Sequence, residues 1–92
     1  MLPVHHLIPG VLAEVLRKAP LTPEKVAFAW RASVGPAISK VTTVELRGRV
    51  LHIRAKDASW QREVERSIGI VRSRMEALLG QGVVGDIQVT AG

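Results

Sequence analysis

Thr42-Thr43-Val44-Glu45-Leu46-Arg47-Gly48-Arg49-Val50-Leu51-His52-Ile53-Arg54-Ala55 is the stretch that decides the architecture of this chain. Its first five residues are β-branched or alternate apolar with polar. Arg47-Gly48 places a glycine where a tight turn needs positive φ, and Val50 to Ala55 alternates again, so the stretch reads as an antiparallel hairpin. Side chains two apart share a face. Val44, Leu46, Leu51, Ile53 and Ala55 therefore form an apolar side, and Glu45, Arg47, His52, Arg54 and Lys56 form a polar one. The first side needs a cover, and the second faces water or a polyanion.

The cover follows directly. Asp57 or Ser59 offers a side-chain oxygen to the unpaired N–H groups of a first helical turn. Trp60, Val64, Ile68, Val71, Met75 and Leu78 then recur at steps of three and four, the stripe of one long helix, with Arg62, Glu63, Glu65, Arg66, Arg72 and Arg74 around the rest. Gly80 stops it, because glycine enters the left-handed region without a Cβ penalty.

Upstream of the hairpin, Thr22-Pro23-Glu24 predicts another helix start: a threonine cap, a proline whose missing N–H costs nothing at the first position, and a carboxylate near the positive end of the dipole. Val26, Ala29, Trp30 and Val34 give this helix its buried side. Gly35-Pro36 interrupts it, and Pro36 to Ser39 restarts for one turn. Earlier still, residues 1–7 are irregular, and Val11, Leu12, Val15 and Leu16 mark a short helix from Ile8 or Pro9 that Lys18-Ala19-Pro20 ends. Beyond Gly80, Gly82-Val83-Val84-Gly85 leads into a last strand, Asp86 to Thr90, with Ile87 and Val89 facing inward. The expected order is α-α-β-β-α-β: an α+β domain spanning residues 1–92, with a three-stranded sheet covered on one face by helices.

Ninety-two residues bury only about 60–65% of their unfolded surface, so the apolar stripes are all needed for the core and little is left for a deep substrate cavity. Thirteen Lys and Arg against eight Asp and Glu give a net charge of +5, which favours polyanionic partners, nucleic acid first. There is no cysteine, hence no disulfide framework or thiolate zinc site, and a reducing cytoplasmic setting fits. The apolar start lacks a positive n-region and is broken by Pro3, Pro9 and Gly10, unlike a signal peptide. No apolar run approaches the roughly 20 residues that span a bilayer. His5-His6 has no third ligand nearby, so neither a metal nor a cofactor is expected. No base and nucleophile pair is evident, and Glu63 and Glu65, two apart on a helix, diverge; a non-enzymatic role is expected.

The densest cationic region comprises Arg47, Arg49, Arg54, Lys56, Arg62 and Arg66, candidates for phosphate contacts, which position a strand without reading its sequence. A charged face is often only a solvated one. Here few carboxylates besides Glu45 share the hairpin's outer face, which favours binding. Phe28, Trp30 and Trp60 are the only aromatics and none falls on a strand, so the sheet is no stacking platform and sequence specificity should be weak. Trp30 belongs to the core, whereas Trp60, in a first turn, is either core or an exposed anchor for a partner protein. Gly82 to Gly85 has the GxxG spelling of nucleic-acid-binding loops but does not link two helices, and it reads as a turn.

Taken in order, Ala29-Trp30-Arg31, Val34-Gly35-Pro36-Ala37-Ile38, Leu46-Arg47-Gly48-Arg49-Val50-Leu51, Ala58-Ser59-Trp60 and Leu78-Leu79-Gly80 resemble the bacterial DciA-like family, over almost the whole chain from about Leu7. The resemblance implies a K-homology (KH-like) fold and a non-enzymatic part in replication: binding the replicative DnaB-type helicase, promoting its loading on single-stranded DNA, and touching DNA itself. Family members that act as loaders often carry a further extension beyond the globular domain, whereas this sequence stops at Gly92. Two alternatives stay open: a KH-like RNA- or DNA-binding module without a helicase partner, and a protein-docking domain whose charge serves solubility.

Overall fold

Thr22 opens the first described helix as the sequence predicts, its Oγ1 accepting from the Lys25 N–H at 3.1 Å and Pro23 following at the first helical position. The computed structural model describes residues 18–92. The helix expected from Ile8 or Pro9 lies outside them, as does His5-His6. Helix α1 runs Pro23–Ser39 and is kinked at Gly35, whose φ of 83° and ψ of 172° are not helical. Pro36 restarts the last turn. The interruption read from Gly35-Pro36 is therefore present, at a conformation only glycine adopts cheaply.

Strands β1 (Thr42–Arg47) and β2 (Val50–Ala55) pair antiparallel, with Thr42 opposite Ala55 and Arg47 opposite Val50. The loop is Gly48-Arg49, with Gly48 at φ 61°, so the turn lies one residue later than Arg47-Gly48. Strand β3 (Asp86–Ala91) joins the other side of β2 in parallel, giving the order β1-β2-β3. Leu51, Ile53 and Ala55 are buried, Val44, Leu46, Ile87 and Val89 are half-buried, and all belong to the covered face.

The single long helix expected after the hairpin is two. Helix α2 spans Ala58–Arg66 and α3 spans Ile68–Leu79, separated at Ser67 with φ −100° and ψ 6°. The Ser67 N–H turns back to Val64 O at 3.0 Å, three residues away, and Val71 N restarts the ladder on Ser67 O at 2.9 Å. Tertiary packing explains the break. A straight helix over the whole stretch would run to roughly 30 Å, well beyond strands that span about 20 Å. Broken at Ser67, α2 lies on β3 and β2 while α3 packs chiefly on α1, which itself covers β1. The described order is α-β-β-α-α-β, an α+β fold whose mixed three-stranded sheet is covered on one face by helices.

Val64, Val71, Met75 and Leu78 of the predicted stripe are buried together with Val26, Ala29 and Trp30. Trp30 is 2% exposed. Its Nε1 donates to Thr42 Oγ1 at 2.8 Å, and that hydroxyl donates to Ile38 O at 2.7 Å, so one threonine satisfies a buried indole and ties β1 to the end of α1. Gly80 ends α3 with positive φ, but at φ 110° and ψ 150° it is extended and not left-handed helical.

Candidate nucleic-acid interface

The uncovered face of the sheet presents Thr43, Glu45 and Arg47 from β1, Val50, His52 and Arg54 from β2, and Asp86, Gln88 and Thr90 from β3. The strand order thus adds a second carboxylate that the hairpin alone does not contain. Parallel pairing sets Asp86 beside Val50 at the turn end, where the Glu45 carboxylate already meets Arg47 Nε at 3.4 Å. At that end the charge is largely self-neutralised, contrary to the expectation from the hairpin taken alone. The other end differs: Arg54 lies between Thr43 and Thr90, and Lys56 follows it out of the strand. His52 sits between Glu45 and Gln88. The face is a shallow concavity of about 440 Å3.

Arg49 is committed to structure. Its Nε donates to Gly82 O at 3.0 Å, and its own carbonyl accepts from Gly85 N at 2.6 Å and Asp86 N at 3.1 Å. A Cβ on Gly85 would sit 3.2 Å from the Arg49 side chain, so glycine there permits a close approach. Gly82 to Gly85 is therefore a turn clipped to the hairpin loop, as its position in the sequence indicates.

Helix α2 begins where the basic end of the sheet stops. Asp57 caps it, Oδ1 accepting from Trp60 N at 3.0 Å, which occupies the one carboxylate next to Lys56. Trp60 is half-buried, unlike Trp30, and stands outside the core cluster. It lines an open pocket of about 390 Å3 with Ser59, Arg62, Glu63 and Arg66. Arg66 Nη2 is held by Glu63 one turn back. The Arg62 side chain has no ion pair or hydrogen bond among the described residues, and the same holds for the side chains of Arg54 and Lys56.

The six candidate cations thus fall into two sets. Arg47, Arg49 and Arg66 hold partners within the chain; Arg54, Lys56 and Arg62, which flank the junction of β2 with α2, do not. Sequence reading did not single out Gln61, whose Nε2 donates to Val89 O at 3.1 Å and ties α2 to β3. Nor did it separate Leu21, Phe28 and Ile70, which are 52%, 39% and 60% exposed, from the apolar residues of the core. Phe28 stacks its ring under the Arg31 guanidinium, 5.9 Å from the centroid, a pairing visible in sequence only as a three-residue spacing.

The family model described as "Dna[CI] antecedent, DciA" matches residues 3–89. This chain belongs to the DciA family. No curated protein matches it. The motifs that carry the DciA resemblance now have physical roles. Trp30 fills the core, Gly35-Pro36 bends α1, Gly48 turns the hairpin, Ser59-Trp60 opens α2, and Leu78-Leu79 closes the core before Gly80. Among the described residues there is no group of three or more His, Asp and Glu placed to hold a metal ion, and no helix long and apolar enough to cross a membrane.

Proposed function

We propose that this DciA-family chain is a non-enzymatic adaptor of bacterial replication that binds the replicative DnaB-type helicase and single-stranded DNA and promotes helicase loading in the cytoplasm. Family membership supports the helicase part. The observation that carries the local reading is Trp60: a large aromatic half-buried outside the core, beside unpartnered Arg62 in the helix that follows the unpartnered pair Arg54 and Lys56. Aromatic and arginine side chains in this setting are favoured as protein anchors. The cations supply phosphate contacts. Arg54, Lys56 and Arg62 carry most of the DNA affinity, with Arg47, Arg49 and Arg66 contributing less because binding must compete with their internal partners.

The test pairs calorimetric titration against the host's replicative helicase with single-stranded DNA titrations at several salt concentrations. Each phosphate contact on a single strand contributes about 0.7 to the slope of log K against log salt, so three contacts give a slope near −2. Changing Arg54, Lys56 and Arg62 to Glu should abolish that slope and leave the fold intact; changing Arg47, Arg49 and Arg66 should reduce affinity less. Equal losses from both sets would overturn the assignment. Salt-sensitive binding of DNA or RNA without helicase binding would favour the second reading, a general KH-like nucleic-acid module, which the basic end of the sheet alone supports.

A further inference from the structure

The sheet has two edges, and they are finished differently. In the β1–β2 ladder Lys56 N donates to Val41 O at 2.8 Å, which fixes the hydrogen-bonded pairs as every second register pair from there. Thr43, Glu45 and Arg47 therefore spend their backbone groups on β2, and Thr42, Val44 and Leu46 turn theirs outward. On β3 the outward groups belong to Ile87, Val89 and Ala91, since Asp86 N and Gly92 N bond Arg49 O and Ala55 O of the β2 side. Two of these are occupied: Ile87 N donates to Asp86 Oδ1 at 2.9 Å, and Val89 O accepts from Gln61 Nε2. Val44 and Leu46 have no such plug among the described residues. Proteins usually cover or block an edge of this kind.

An apolar groove of about 340 Å3 runs along the open edge. Its apolar walls are Leu21, Pro23 and Val26 of α1 and the residues before it and Val44 and Leu46 of β1, with Thr22, Glu45 and Gly48 completing the lining. A strand added to β1 would place every second side chain in this groove.

We propose that the β1 edge docks an extended segment of a partner protein, apolar at alternate positions and acidic at its ends. Charge selects this occupant. Lys40, in the turn that leads from α1 into β1, and Arg47, which ends β1, are both exposed and flank the six residues of the strand, so a segment of about seven residues meets a cation at each end. The Glu45 partner of Arg47 is itself exposed and yields readily. A second copy is the wrong occupant. Its outward groups pair most fully with Val44 opposite Val44, a register that sets Arg47 opposite Val41 of the second copy, one residue from Lys40, at both ends. Each copy also carries +5. This inference concerns a different surface from Trp60 and does not rest on the helicase reading.

The probe is a synthetic peptide of about seven residues with valine at alternate positions, threonine between them and aspartate at both ends. The control is the same peptide N-methylated on the backbone amides that would pair with β1. Amide hydrogen exchange of the full chain is followed by NMR. At a peptide concentration tenfold above Kd, exchange of Val44 and Leu46 should slow about tenfold, since only the unbound fraction exchanges, while Ile87 stays unchanged. The methylated peptide should give no protection, and Lys40→Glu with Arg47→Glu should weaken binding of the acidic peptide while the fold persists. Unaltered exchange at Val44 and Leu46 overturns the proposal. Equal protection by the methylated peptide also overturns it, because the contact is then charge alone. Protection already present without peptide overturns it too, sedimentation then telling a second copy from the chain's own residues.

Discussion

Trp30 and Trp60 are alike in sequence, each an aromatic on an amphipathic helix, and unlike in the molecule. Trp30 lies mid-helix in α1, over β1, with its indole N–H satisfied by Thr42. Trp60 lies in the first turn of α2, where the helix has only just left β2, and its side chain stays half-exposed outside the core. Periodicity reports which side of a helix a residue is on. Whether anything lies opposite that side depends on where along the helix the neighbouring element reaches.

Substitutions can sharpen or break this contrast. The largest effect is expected from Trp30→Ala, which removes a fully buried aromatic and should cost about 3–5 kcal/mol. Against a total stability of about 5–15 kcal/mol for domains in general, denaturant melts should show a chain near its folding limit. Next comes Thr42→Val, close in shape but without the hydroxyl. It strands a buried indole donor and releases Ile38 O, for a loss of about 1–3 kcal/mol by the same melts. Trp60→Ala should cost less than Trp30→Ala, because Trp60 is only partly buried and stands outside the core cluster. Its effect should show instead as lost helicase binding by calorimetry. A stability loss for Trp60 equal to that for Trp30 would erase the distinction and return Trp60 to the core.

Features set by neighbouring residues were legible. Thr22-Pro23 and Asp57 each place a cap where the sequence allows it, since a cap is satisfied within three residues. Gly35-Pro36 bends α1 because a glycine with positive φ and a proline without an N–H act on their own turn. The alternation of Thr42 to Ala55 likewise sets which side chains share a face. The break at Ser67 was not legible. The apolar spacing from Val64 to Val71 passes through it unaltered, and the reason to bend lies in the reach of the sheet and the position of α1. The charge of the outer face was misread for a related reason: Asp86 joins it only through the parallel pairing of β3 with β2, 36 residues after Val50.

The sequence by itself determined the hairpin, the caps, the kink in α1, the apolar faces and the family, because each depends on short-range stereochemistry or on the order of residues. Tertiary structure alone decided which cations keep their charge free and which sheet edge stays open. Arg49 is occupied by Gly82, 33 residues away, and on the β3 edge Val89 O is taken by Gln61, 28 residues away. Hydrogen bonds between groups so far apart in the chain are fixed only when the sheet and helices have packed.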